Sequence, residues 1–220
     1  MTSPQEEAKK AISQYFDCSD TKNIGKGGNG GLTRGNIRAI YKYTGQSGDC
    51  ASEIVNPILR HIAKLPEDKI RDYLDNLRKK IGISSIKSFI KQLDDAICKV
   101  ELPADLILYR GVDYGKLIDD LGHGIKKGVI YRDAGFMSTS YAEIVAYRFS
   151  VPYIFDEGDV GRKPIFVIIT KKKQKGAVSH NECEVILPRG TILRCIDSID
   201  VKDRRYFIMD CISVDNEMEV

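Results

Sequence analysis

The feature that most restricts what this chain can fold into is a change of texture at Pro103. Upstream, apolar residues recur every three or four positions, the period of helices with one buried face. Downstream, short runs rich in β-branched and aromatic residues follow one another at 106–112, 135–139, 164–170, 182–187, 191–199 and 205–214. Helices first and strands afterwards give an α+β architecture with an antiparallel sheet system, because a parallel βαβ sheet would need the two to alternate. No internal repeat divides the chain, and the two halves join tightly at 99–105, so they are read as one domain.

The helical half is punctuated by its own start signals. Ser3, Pro4 and Glu6 form an N-cap, a proline at the first helical position and an acid three residues after the cap. A Gly-rich segment follows within 17–33, so residues 1–32 are assigned to an N-terminal helix and flexible stretch, and 33–220 to the main domain. Further helices are expected at 35–43 and at 49–64, with Pro57 marking a start or kink. Another opens at Pro66, and one capped by Ser84-Ser85 carries the stripe Ile86, Phe89, Ile90, Leu93, Ile97. A short helix at 141–149 follows the second strand, with Ser140 as its cap.

Charge and hydropathy exclude several classes. With 34 basic and 31 acidic residues the excess of +3 is too small to suggest nucleic acid or a membrane surface as partner. No apolar run approaches the roughly 18 to 20 residues that span a bilayer. The first residues carry acids and lack an apolar core, so they do not read as a signal peptide. Six cysteines without a CxxC and three histidines without ligand spacing argue against a metal site and for a reducing workplace.

Some segments resemble chemistry and are better read otherwise. The glycine run 25–31 lacks the GK[ST] ending and a preceding strand, so it is a linker and not a phosphate loop. Lys171-Lys172-Lys173 has no interleaved aromatics to stack bases and reads as a solvated strand end. Cys183 lies between two glutamates, whose charges disfavour an anionic nucleophile, so it reads as structural.

Three signals remain. Leu106–Arg110 is an apolar strand ending in an arginine fork, with Gly111 beside it leaving the backbone open to close approach. Ser138 and Thr139 lie on a strand running into a helix, and Ser138 precedes any cap. Glu182 and Glu184 are two apart on a strand, so their carboxylates share one face about 7 Å apart. Taken singly, each has a bland reading: a surface arginine, a cap, an edge strand with one solvated face. Paired carboxylates at such spacing also serve glycosidic chemistry, where one steadies an oxocarbenium centre and the other handles the nucleophile.

Their order decides. The arginine, a Ser-Thr-Ser 28 residues later and Glu-x-Glu 44 residues beyond that resemble the R-S-E pattern of the arginine-specific mono-ADP-ribosyltransferases, a family that includes bacterial toxins and effectors. LILYRG is similar to the family's arginine strand, GFMSTSYAEIVAYRF to its STS strand and helix, and KGAVSHNECEVILPRGTILRC to its recognition turn, glutamate strand and Pro-x-Gly hairpin. Upstream, AIYKYTGQSGDCASEIVNPILR resembles its Tyr-Thr helix and Ile-Asn-x-x-Leu-Arg segment, so the likeness covers 33–213.

The resemblance implies an ADP-ribosyltransferase-like fold: two packed antiparallel sheets forming an NAD+ cleft, with helices on one side. It implies that NAD+ is the substrate, that no metal takes part, and that a monomer transfers ADP-ribose to a target protein. Arg110 would hold phosphate and ribose, Gly111 the nicotinamide carboxamide, and Ser138 with Thr139 would line the cofactor site. Ser138 would bond Glu184, Glu184 would bond the nicotinamide ribose and stabilise the oxocarbenium ion, and Glu182 would position the acceptor guanidinium. Phe155 is assigned to nicotinamide stacking, and Arg148 or Arg162 to a phosphate.

Two departures stand out. The segment 175–182 is short and has Val178, His180 or Asn181 where the family has an aromatic residue, which leaves a non-arginine acceptor open. Water as acceptor, making the chain an NAD+ glycohydrolase, is the other alternative. A family member without a signal peptide is expected to act in the cytoplasm of a target cell and to leave its producer by another route.

Overall fold

The computed structural model describes residues 32–45, 51–62, 67–76, 83–157, 161–179 and 183–214. The expected helix after Ser3 and the glycine run therefore lie outside the described residues. The helical half comprises α1 (Arg34–Tyr43), α2 (Ser52–Pro57), α3 (Glu67–Asn76) and α4 (Ile83–Lys99). In α1 a capping box sets the start: the Thr33 side chain accepts from the Asn36 N–H while the Asn36 side chain accepts from the Thr33 N–H. Asn36, Ala39, Ile40 and Tyr43 are its buried residues, the spacing of one helical face. That face packs on α4, whose Ile86, Ile90, Leu93 and Ile97 are buried. The expected helix at 49–64 is α2, which passes at Pro57 into a π-helical turn at Ile58–Ile62. Proline has no N–H for the regular ladder, which accounts for the change of winding there.

The strand half runs β1 (Leu106–Gly111), α5 (Tyr114–Leu121), β2 (Ile130–Asp133), β3 (Met137–Ser140), α6 (Glu143–Phe149), β4 (Lys163–Thr170), β5 (Ala177–Ser179), β6 (Glu184–Leu187), β7 (Thr191–Val201) and β8 (Arg204–Val214). The hydrogen-bonded order is β2-β7-β8-β4-β1-β3-β6-β5. The strands thus form one linked sheet in place of the two expected, and it is mixed because β4 and β8 are parallel. Helices-then-strands order predicts antiparallel neighbours along the chain but says nothing about strands brought together from afar.

The sheet is folded over on itself. In a flat sheet β2 and β3 would lie five spacings, roughly 24 Å, apart. The three residues that join them reach at most about 14 Å. The closure wraps Leu106, Leu108, Met137, Phe166, Val185, Leu187, Phe207 and Met209 into one core. A second core forms between the helices and Phe136, Ala177 and Ile186. The fold-over hinges where β1 meets β3, at the single register pair Tyr109–Ser140, and there the cleft opens.

Candidate active site

A cleft of about 650 Å3 lies at that hinge, lined by strand residues Tyr109, Arg110, Gly111, Ser138, Thr139, Ser140 and Glu184. Tyr43 and Asn56 line it from the helical layer, and Val145, Ala146 and Phe149 from α6. Five sequence-predicted residues, Arg110, Gly111, Ser138, Thr139 and Glu184, are therefore brought together. Glu182 lies outside the described residues.

Register explains the convergence. Ser140 stands directly opposite Glu184 across β3 and β6, and Ser179 of β5 stands opposite it on the other side. Directly opposed residues share a face, so the side chains of Ser140 and Glu184 project to the same side. Alternation puts Ser138 on that same face. Thr139 points the other way, and its hydroxyl donates to the Val185 carbonyl at 2.6 Å, tying β3 to β6. Ser140, expected as a cap, is instead a strand residue. Its hydroxyl donates to the Cys183 carbonyl at 2.9 Å and accepts from the Ala142 N–H at 3.0 Å, while Ala142 is the N-cap.

Cys183 has a left-handed backbone, φ 53°, and β6 begins only at Glu184. The simple alternation that placed Glu182 and Glu184 on one face stops at this turn.

Arg110 is held from two sides. One terminal nitrogen donates to the Ser138 carbonyl at 2.8 Å, and the other lies 3.7 Å from the Asp133 carboxylate. Asp133 in turn accepts from Arg60 Nε at 2.7 Å and Nη2 at 2.9 Å. Burial of Arg60 alone would lower its pKa, but the charge and hydrogen bonds of Asp133 outweigh that and raise it, so the guanidinium stays charged. Beside this pair the Asn56 amide bridges the Phe136 N–H at 3.0 Å and the Tyr43 hydroxyl at 2.8 Å. Burial pushes the Tyr43 phenol above its usual pKa, so it stays protonated at neutral pH.

Gly111 has a structural reason beyond ligand access. A Cβ there would sit 2.0 Å from the Ala146 carbonyl oxygen and 2.6 Å from the Ser150 nitrogen, so the absent side chain is what lets α6 pack against β1. On its far side α6 is fixed by Glu143, which accepts from Tyr206 at 2.7 Å and from Arg204 at 3.1 Å.

The 151–163 stretch is placed differently from expectation. Phe155 does not line the cleft. Its ring packs 4.7 Å from Tyr114 and 5.0 Å from Tyr153, with Arg205 over it at 4.2 Å. The aromatic ring at the cleft mouth is Phe149, 73% exposed. Arg162 lies 3.6 Å from Asp200, and neither it nor Arg148 lines the cleft. The sequence alone marks no role for Tyr43, Asn56, Arg60 or Asp133. The first three lie within the Tyr-Thr and Asn-x-x-Leu-Arg segment, whose side chains only the fold carries to β3.

Residues 5–216 match the ADP-ribosyltransferase exoenzyme family. The chain belongs to that family. Among solved structures, it is similar to the Vis toxin, an ADP-ribosyltransferase from Vibrio splendidus, at 17% identity and TM-score 0.60, covering 95% of this chain and 86% of that one. It is similar to Vis in complex with agmatine at 18% identity and TM-score 0.56, over 98% and 90% of the two chains. Similarity to C3stau2 from S. aureus with NAD is 19% at TM-score 0.56, over 90% and 98%. No curated protein sequence matches the chain. The transferase thus has the α+β ADP-ribosyltransferase fold, and its family chemistry is ADP-ribosyl transfer from NAD+.

Proposed function

We propose that the transferase cleaves the nicotinamide–ribose bond of NAD+ in this cleft and moves ADP-ribose to an arginine side chain of a target protein. The observation that carries the reading is the meeting of Arg110, Ser138 and Glu184, distant in sequence, along one cleft. Arg110 offers a guanidinium to phosphate or ribose oxygens, with its position set by Ser138 and Asp133. Gly111 presents bare backbone to the carboxamide, and the Ser138–Thr139 strand forms the floor.

As the bond breaks, its electron pair leaves with nicotinamide and positive charge develops on the ribose. A carboxylate at Glu184, held at the start of β6 opposite Ser140, supplies a countercharge that needs no reorganisation. The acceptor nitrogen then forms the new bond to the ribose carbon and loses a proton. An arginine acceptor is supported by the Glu182-x-Glu184 pattern and by agmatine, a guanidinium compound, in complex with the similar Vis protein. Glu182 is assigned to aligning that guanidinium, which is a poor nucleophile until oriented. Phe149, at the cleft mouth, is better placed than Phe155 to meet nicotinamide. A bacterial toxin acting inside a target cell fits the family.

Incubation of the protein with labelled NAD+ and a cell lysate tests this. Labelled protein sensitive to hydroxylamine is the expected result. Free ADP-ribose without protein label makes the chain a glycohydrolase, and no NAD+ turnover overturns the reading.

A further inference from the structure

Asp133 is the most buried charge near the cleft: the residue is 1% exposed and its carboxylate is fully covered. Its backbone is fixed by pairing opposite Thr191 and by the Gly190 N–H, which donates to the Asp133 carbonyl at 2.7 Å. Its carboxylate takes both Arg60 bonds and the Gly135 N–H at 2.9 Å, with Arg110 alongside at 3.7 Å. The packing leaves no slack. A Cβ on Gly135 would lie 2.8 Å from Asn56 Oδ1 and 3.0 Å from Arg60 Nε.

A buried ion pair of this kind is a weak source of stability, since apolar residues of similar volume often do as well. Its geometry, in contrast, has a direct consequence for the cleft. Arg60 engages both oxygens of Asp133. Arg110 lies 3.7 Å from the same carboxylate, attracted by its charge but beyond hydrogen-bond distance. Its other terminal nitrogen is anchored on the Ser138 carbonyl. The guanidinium is thus held at the cleft wall from two directions, 18% exposed, in place of folding wholly onto the acid or swinging into solvent.

We infer that Asp133, anchored on both oxygens by Arg60, is the positioning residue for Arg110 and sets how tightly the cleft takes NAD+. This rests on the reading of Arg110 as a ligand of NAD+. Asp133 touches no substrate in this scheme. It acts through Arg110, so its removal should change affinity more than the chemical step.

Calorimetric titration with NAD+ and steady-state kinetics test it. Asp133→Asn should raise the dissociation constant on the order of tenfold, within the range for contacting residues, with kcat altered less than about threefold. Where the stranded Arg60 charge prevents that variant from folding, the double variant Arg60→Met/Asp133→Asn removes the pair together and carries the same measurement. In an Arg110→Lys background, Asp133→Asn should weaken binding less than about twofold further, because the group it acts through is gone. A purely structural Asp133 would lower the binding stoichiometry and leave the affinity of the folded fraction unchanged. That result, or full additivity with Arg110→Lys, overturns the inference. If Arg110→Lys alone leaves NAD+ affinity intact, the fault lies instead with the functional reading.

Discussion

The Tyr43 hydroxyl of α1 lies 3.2 Å from the Ser138 hydroxyl of β3, 95 residues away in sequence. It also meets the Phe136 carbonyl at 3.1 Å and accepts from Asn56 at 2.8 Å. The helical layer therefore does more than cover the sheet: it supplies a buried polar strut to the strand that carries the site.

Tyr43→Phe tests that strut with the loss of a single oxygen. The buried Asn56 amide loses a partner, so stability should fall by about 1–3 kcal/mol, read by denaturant unfolding. Turnover of NAD+ should fall roughly fivefold, the worth of one ordinary hydrogen bond, as Ser138 loses its anchor. Unchanged turnover in a protein of lowered stability would confine Tyr43 to packing.

Glu184→Gln should keep the fold, since the amide is nearly isosteric and the residue begins β6 at the cleft. NAD+ cleavage and protein transfer should both fall by roughly 100-fold or more, comparable to losing one preorganised stabiliser of a charged transition state. Near-normal rates in the folded variant, with circular dichroism matching the parent, would sink the proposed mechanism.

Gly111→Ala asks whether the glycine serves the ligand or the scaffold. The added methyl would overlap the α6 backbone at Ala146 and Ser150, and backbone cannot swing aside as a flexible side chain can. A loss of about 3 kcal/mol, the upper end for overpacking, is expected in thermal or urea unfolding. Wild-type stability together with weakened NAD+ binding would assign Gly111 to the ligand alone.

These residues show what was legible in the sequence. Arg110, Gly111, Ser138, Thr139 and Glu184 are readable because each lies on a strand with a local pattern, and all five line the cleft. The helices and most strands follow from periodicity and caps. Helix α5, not among the expected elements, nonetheless carries its own signals: Asp113 caps its start and Gly122, φ 72°, closes it. The edge strands β2 and β5 are too short to show a period. Asp133 could not be found locally, because its meaning comes from sheet closure. Phe155 departs from expectation for a related reason: an aromatic in a loop carries no mark of which side of the sheet it will pack on, and it lies half-buried against Tyr114 and Phe207.

Glu182 gives the test that separates acceptor choice from NAD+ cleavage. It lies two positions before Glu184, on the far side of the left-handed turn at Cys183. A turn at that point removes the requirement that both carboxylates project from one strand face, so one can serve the ribose while the other serves the acceptor. Glu182→Gln should then leave hydrolysis of NAD+ within about threefold of the parent, because Glu184 and Ser138 still support departure of nicotinamide. Transfer to protein should fall by about 100-fold, since an arginine, fully protonated at neutral pH, needs a partner that orients it. Both rates are measured in one assay, by following nicotinamide release and protein-bound label together. Equal loss of the two would move Glu182 into the NAD+ site. Persistent transfer with hydroxylamine-stable product would point to an acceptor other than arginine and to the short 175–182 segment as the element that selects it.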